Sequence, residues 1–180
     1  MTTPVDAVID RLVRDIPDWP QAGVVFKDIT PLLADPEGLA TIVTGLADLG
    51  RRLAPDGVDI VVGIEARGFI LAAPVALALG AGFVPVRKKG KLPAPTHEVS
   101  YTMEYGEATL EVHRDALPHG ARVLVVDDVL ATGGTVQATG ELLARCGAHA
   151  AGVAVLLELG FLGGRARLGG VNLGALRLVD

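Results

Sequence analysis

The sequence predicts an α/β fold with a central, mostly parallel sheet flanked by helices. Three observations carry this. From residue 58 onward, short apolar runs alternate with segments of helical period, as parallel strands joined by crossover helices require. Half of the 180 residues are hydrophobic, enough to fill the core of one domain spanning 1–180. The run VLVVDDVLATGGT at 123–135 passes from an apolar strand through two carboxylates into small, glycine-rich sequence, which is how a strand end meets a ligand in such sheets.

Taken in order, Val5, Val8, Ile9, Leu12, Val13 and Ile16 stand at helical spacing and predict an amphipathic helix over 4–16. Leu39, Ile42, Val43, Leu46, Leu49 and Leu53 predict a second over 36–53. Asp35 is its expected N-cap, Pro36 its first position, and Pro55, Asp56 and Gly57 the turn beyond its end. VDIVV at 58–62 predicts a strand, followed by GIEARG, an apolar helix to about 79 and a strand at 83–86. Residues 69–86 carry no charge over 18 positions, a length at which a membrane helix is considered. Pro74, Gly80, Gly82 and Pro85 divide that run into a buried helix capped near Gly80 and a short strand. EVSYTMEYGEATLEVH at 98–113 alternates as a two-stranded hairpin does, with its turn near Tyr105, Gly106 and Glu107. Because it is polar and interrupts the alternating units, 94–114 is expected to be a flexible lid inserted into the domain. A strand at 122–127, a helix at 135–146 ending at Gly147, and strands at 151–158 and 175–179 complete the prediction. The glycine-rich stretch 160–174 carries no assignment.

Composition narrows the function. The formal charge of -5 leaves no overall basic footprint, and 4% aromatic residues are too few for a base-stacking platform, so no nucleic-acid partner is expected. No membrane association is expected either. Cys146 is the only cysteine, which excludes an intrachain disulfide and a cysteine metal cluster. The start MTTPVDAVID lacks the apolar core of a signal peptide, and the expected setting is cytoplasmic. His97, His113, His119 and His149 share no metal-ligand spacing and read as loop or surface residues, and Trp19 as a rim residue of the N-terminal segment.

The chemistry concentrates at 127–135. Ala131, Thr132, Gly133, Gly134 and Thr135 have little bulk, so several backbone N–H groups can converge on one phosphate at a helix N-terminus, with the threonine hydroxyls as further donors. The stretch is neither GxGxxG nor GxxxxGK[ST], which argues against dinucleotide and triphosphate sites. Asp127 and Asp128 can accept from vicinal sugar hydroxyls, directly or through a Mg²⁺ shell. Arg67 follows one predicted strand and Arg87, Lys88, Lys89 and Lys91 follow the next, so both sets are expected over one sheet edge as a cationic pocket.

VLVVDDVLATGGT resembles the 5-phosphoribosyl 1-diphosphate (PRPP) signature of the type I phosphoribosyltransferases. GVVFKDITPLL at 23–33, VGIEARGFI at 62–70, VRKKGKLP at 86–93 and YTMEYGEATLEVH at 101–113 resemble the adenine phosphoribosyltransferase branch of that family. The resemblance implies a type I phosphoribosyltransferase fold with a small N-terminal hood, 1–34, that binds the base, and transfer of the 5-phosphoribosyl group from PRPP to N9 of adenine, giving AMP and diphosphate. It implies that 131–135 hold the 5-phosphate, that Arg67, Arg87, Lys88 and Lys91 meet the diphosphate, and that some of these act across a homodimer interface. It implies that Phe26 stacks on adenine while the backbones of Val25 and Lys27 pair with its edge, and that Glu104, on the lid, assists proton movement at the base. Catalysis would then rest on Glu104, Asp127, Asp128 and Arg67. The cofactor implied is Mg²⁺, held mainly by PRPP, with Asp127 and Asp128 as candidate protein ligands. Ala22 stands where the family commonly has proline and Lys27 where it has arginine. Two other readings stay open: a guanine, hypoxanthine or xanthine phosphoribosyltransferase, and a PRPP-binding regulator without catalysis.

Overall fold

The computed structural model describes residues 3–102 and 107–180. They fall into two compact units, residues 1–45 and 46–180.

In the first unit, helix α1 (Pro4–Leu12) begins with a capping box: the Asp6 N–H donates to the Thr3 hydroxyl at 3.1 Å, and the Thr3 N–H donates back to the Asp6 carboxylate at 3.2 Å. The helix ends four residues earlier than the apolar spacing suggests. Residues Arg14–Pro17 instead form β1, antiparallel to β2 (Val25–Asp28), with Ile16 opposite Phe26. Cross-strand ion pairs at Arg14–Asp28 (2.6 Å) and Lys27–Asp15 (2.7 Å) flank the ribbon. A five-residue helix, α2 (Thr30–Ala34), follows, its first N–H donating to Asp28 at 2.8 Å. Helix α3 (Pro36–Leu53) has the predicted limits. Asp35 caps it through the Gly38 N–H at 2.7 Å.

In the second unit a seven-stranded sheet has the order β5-β6-β4-β3-β7-β8-β9 among the described residues. Its strands are β3 (Ile60–Ile64), β4 (Gly82–Lys88), β5 (Thr96–Thr102), β6 (Glu107–His113), β7 (Arg122–Leu130), β8 (His149–Leu159) and β9 (Leu173–Val179). The run from β4 to β9 is parallel, and the β5–β6 hairpin extends it as an antiparallel edge through Arg87↔Glu111 and Lys88↔Leu110. Helix α4 (Arg67–Leu79) leads from β3 to β4 and stops at Gly80, which takes the left-handed φ of 67° that favours glycine. Helix α5 (Gly134–Arg145) leads from β7 to β8.

The two faces of β7 show the period of a buried strand. Val123 and Val125 join Val62 and Ile64 in a cluster with Leu142 and Leu143 of α5. Leu124, between them, lies against Gly50 of α3, where a Cβ would come within 2.6 Å of it.

Four differences from the sequence reading stand out. β7 continues past the carboxylates to Leu130, because Val129 and Leu130 keep pairing with Leu157 and Glu158 of an eleven-residue β8. Arg87 and Lys88 close β4 rather than follow it. The unassigned stretch contains a 3₁₀ turn (Gly160–Leu162) and a short helix, α6 (Gly164–Arg167). Finally, His97, His113 and His149 lie in strands, and the His113 Nε2 is buried with no partner among the described residues.

Candidate active site

The chain leaves β3 toward β4 on one side and later adds β7, then β8, on the other. This reversal opens a crevice at the carboxyl ends of β3 and β7, the place where open parallel sheets receive ligands. The predicted carboxylates and Arg67 stand there.

Asp127 and Asp128 are side by side in β7. The Asp128 N–H donates to the Asp127 carboxylate at 2.9 Å, and Arg67, at the start of α4, reaches Asp128 with its Nε at 2.7 Å. Gly68 explains how α4 comes so close, since a Cβ there would stand 2.8 Å from the Asp127 Oδ1 and 3.0 Å from the Val126 carbonyl. Burial pushes the Asp127 carboxyl well above the usual carboxylate range, and the neighbouring Asp128 charge adds to the rise. Burial also raises Asp128, against the opposing pull of Arg67. Positive charge or hydroxyl donors placed beside these two poorly hydrated carboxyl groups would favour their ionised form.

Residues 131–133 lead directly from this strand into α5. Gly133, at φ 83°, is the N-cap of α5, so no side chain fills the space in front of the first N–H groups of that helix. The Tyr101 hydroxyl of β5 meets the Thr135 hydroxyl at 3.1 Å, and the Tyr101 ring lies 3.1 Å from where a Gly134 Cβ would stand. The hairpin thus meets residues 134–135 near the end of β5, next to its turn. The tip that would carry Glu104 lies outside the described residues.

The cation segment is shaped by two glutamates that sequence reasoning missed. Glu65 accepts from the Arg87 Nε at 3.2 Å and from the Lys88 N–H at 2.9 Å. Burial alone would raise its carboxyl, but the Lys88 N–H and the Arg87 guanidinium outweigh burial and hold it below its usual value. Glu111, 3% exposed, accepts from the N–H groups of Lys91 and Leu92 at 2.8 and 2.9 Å and curls the turn that follows β4. The Arg87 guanidinium lies 5.8 Å from the centre of the Phe69 ring. Arg67 and Arg87 therefore stand at the carboxyl ends of neighbouring strands, while Lys88 and Lys91 contribute main-chain groups to the fixed part of the segment. Lys89, grouped with them in sequence, pairs with Glu98 at 2.7 Å on the surface.

In the first unit, the Phe26 ring meets Trp19 edge to face at a centroid distance of 4.4 Å. Val25 is exposed, and the Lys27 ammonium is held by both oxygens of Asp15. The Thr30 hydroxyl, the Thr30 N–H at 2.8 Å and the Arg14 guanidinium, in that order, lower the Asp28 carboxyl to about 2.

The described geometry is that of an open, mostly parallel sheet with paired carboxylates and a glycine-rich helix start at its topological reversal, the class of architecture in which ligands sit at the strand ends. Residues 32–165 match the model of the phosphoribosyl transferase domain. Over 99% of its length the chain is 60% identical to all of a protein from Thermobifida fusca named adenine phosphoribosyltransferase. The crystal structure of an adenine phosphoribosyltransferase from Thermoanaerobacter pseudethanolicus superposes with a TM-score of 0.89 at 44% identity, covering 95% of this chain and 98% of that one. One from Saccharomyces cerevisiae, complexed with an imino-altritol bisphosphate and adenine, gives 0.91 at 34% identity over 96% and 98%. The chain belongs to the phosphoribosyltransferases, a family of transferases, and within it to the adenine phosphoribosyltransferases.

Proposed function

We infer that the protein transfers the 5-phosphoribosyl group of PRPP to N9 of adenine, giving AMP and diphosphate in purine salvage. The observation that carries this is the continuous path from Asp127 and Asp128 into an uncapped helix start at Gly133, with Arg67 across the crevice. The full-length likeness to adenine phosphoribosyltransferases supports adenine as the acceptor.

In this reading residues 131–135 hold the 5-phosphate through backbone N–H groups and the threonine hydroxyls. Asp127 and Asp128 accept from the ribose hydroxyls and ease positive charge developing at C1. Arg67, Arg87, Lys88 and Lys91 neutralise the departing diphosphate. Phe26 stacks on the base, the backbones of Val25 and Lys27 read its edge, and Glu104 carries a proton at its imidazole side when the 94–114 lid closes over the site and excludes water.

The carboxylate pair suits Mg²⁺ as part of a shell. Its charge is poorly hydrated, while among the described residues no three His, Cys, Asp or Glu side chains converge as a closed metal cage requires. Asp127 and Asp128 would therefore complete a coordination sphere supplied mainly by PRPP oxygens. When bound, Mg²⁺ neutralises charge that builds on the leaving diphosphate. A homodimer is supported by an apolar surface on α4 and β4, where Ile70, Leu77 and Phe83 are exposed, Leu77 by 83%. A cytoplasmic setting is supported by the single free cysteine. No helix among the described residues is long and apolar enough to cross a membrane.

The deciding assay is diphosphate release with PRPP and Mg²⁺, run in parallel with adenine, hypoxanthine, guanine and xanthine. Release with adenine alone is expected. Release with a 6-oxopurine overturns the base assignment, and PRPP binding without release from any base points to a regulator.

A further inference from the structure

The glycine-rich stretch that follows β8 is built against the anion loop. A Cβ on Gly164 would collide with the Ala131 carbonyl and stand 3.0 Å from the Gly133 nitrogen. Conversely, a Cβ on Gly133 would stand 2.8 Å from the Gly164 carbonyl and 3.3 Å from Leu168. The two backbones pack directly on each other, so any shift of α6 is a shift of the loop.

Apolar packing alone does not hold α6 in place. Leu168, just past α6, packs in the core cluster with Val136 and Val153, yet beside that contact Arg167, Leu168, Gly169 and Val171 also line a cavity of about 360 Å³. Polar contacts add to this packing. Arg165 forms a two-pronged pair with Glu158, its Nε donating at 2.8 Å, and its Nη1 donates to the Leu173 carbonyl at 2.9 Å. Glu158 is a buried carboxylate whose ladder partner in β7 is Leu130, the residue that enters the loop. Arg167 donates to Gln137, in the first turn of α5, at 3.0 Å.

We propose that Glu158 and Arg165 are positioning residues for the 5-phosphate of PRPP, setting the shape of the 131–134 loop through Gly164 without touching the substrate. The proposal rests on the reading of that loop as a phosphate site. A guanidinium forked onto a buried carboxylate fixes direction as well as distance, which a lysine at the same place does not. Small displacements matter at such a site, because several N–H groups must point at one anion together.

The experiment compares wild type with Arg165→Met, Arg165→Lys and Glu158→Gln. It measures calorimetric affinity for ribose 5-phosphate, KM for PRPP, KM for adenine, kcat and melting temperature. Arg165→Met is expected to weaken ribose 5-phosphate binding and raise KM for PRPP by about tenfold, with kcat at saturating PRPP within about twofold and KM for adenine unchanged. Arg165→Lys should recover part of the loss. Should Arg165→Met fail to fold, Glu158→Gln decides, with an expected change of about threefold in the same two quantities. A lower melting temperature with wild-type ribose 5-phosphate affinity and KM for PRPP overturns the proposal and leaves the pair a purely structural role. If wild type itself binds no ribose 5-phosphate, the reading of the loop fails and the proposal falls with it.

Discussion

Replacing Arg67 by Met tests the electrostatics of the crevice in the ligand-free protein. Arg67 is the cation within 2.7 Å of Asp128, whose side chain is 7% exposed. Removing one partner of a fully buried pair costs about 3–5 kcal/mol. Because the Arg67 side chain is 35% exposed and solvent weakens the pair, the expected loss is about 2 kcal/mol. For a chain of this size that lowers the melting temperature by about 4–8 °C. The loss should depend on pH, with a sign that follows from the raised carboxyls. Both Asp127 and Asp128 hold a proton more tightly folded than unfolded, so their contribution to stability falls as pH rises above the ordinary value of 3.8. Without Arg67 the cation among the described residues that holds Asp128 down is gone, and the decline extends to higher pH. Urea unfolding at about pH 5 and about pH 8 should therefore show the smaller loss at the lower pH. Adding Asp128→Asn should recover more than half of it. An equal loss at both pH values, or none, would refute the reasoning.

Gly68→Ala places a methyl group 2.8 Å from the Asp127 Oδ1 and should lower kcat by at least about tenfold, at a cost of about 1–3 kcal/mol in unfolding experiments. Glu111→Ala releases the N–H groups of Lys91 and Leu92; steady-state kinetics should show KM for PRPP several-fold higher and KM for adenine unchanged. Phe26→Ala should raise KM for adenine about tenfold and spare the affinity for PRPP, as equilibrium binding of each ligand would show. Asp28, with its carboxyl lowered to about 2, stabilises the fold above the ordinary 3.8, and that contribution disappears as pH falls toward 2. Acid unfolding of Asp28→Asn should accordingly be less steep across that interval.

What could be read from the sequence was local. The limits of α3 follow from Asp35, Pro36 and its apolar spacing, and the stop of α4 from Gly80, because caps and periodicity act within a few residues. The passage from β7 through 131–133 into α5 was legible for the same reason. β1 was not, since Val13 and Ile16 continue a helical spacing while the strand arises from pairing with residues 25–28. Glu65 and Glu111 were also hidden: their acceptors serve N–H groups 19–23 positions away, a relation set by strand order. Gly164 is one glycine among many in the sequence, and only the fold brings Gly133 against it.

The reversal of strand order also affects how quickly an anionic substrate is captured. Helices α4 and α5 begin at the carboxyl ends of neighbouring strands, so the positive ends of two backbone dipoles converge on one crevice. The chain as a whole carries a formal charge of -5. At long range an approaching anion is repelled, and within a few ångströms it is attracted. Salt at about 0.1 M shortens the reach of charge to about 10 Å, which screens the repulsion and leaves the close contacts largely intact. Moderate ionic strength should therefore speed the encounter, opposite to the behaviour of enzymes whose net charge attracts the substrate.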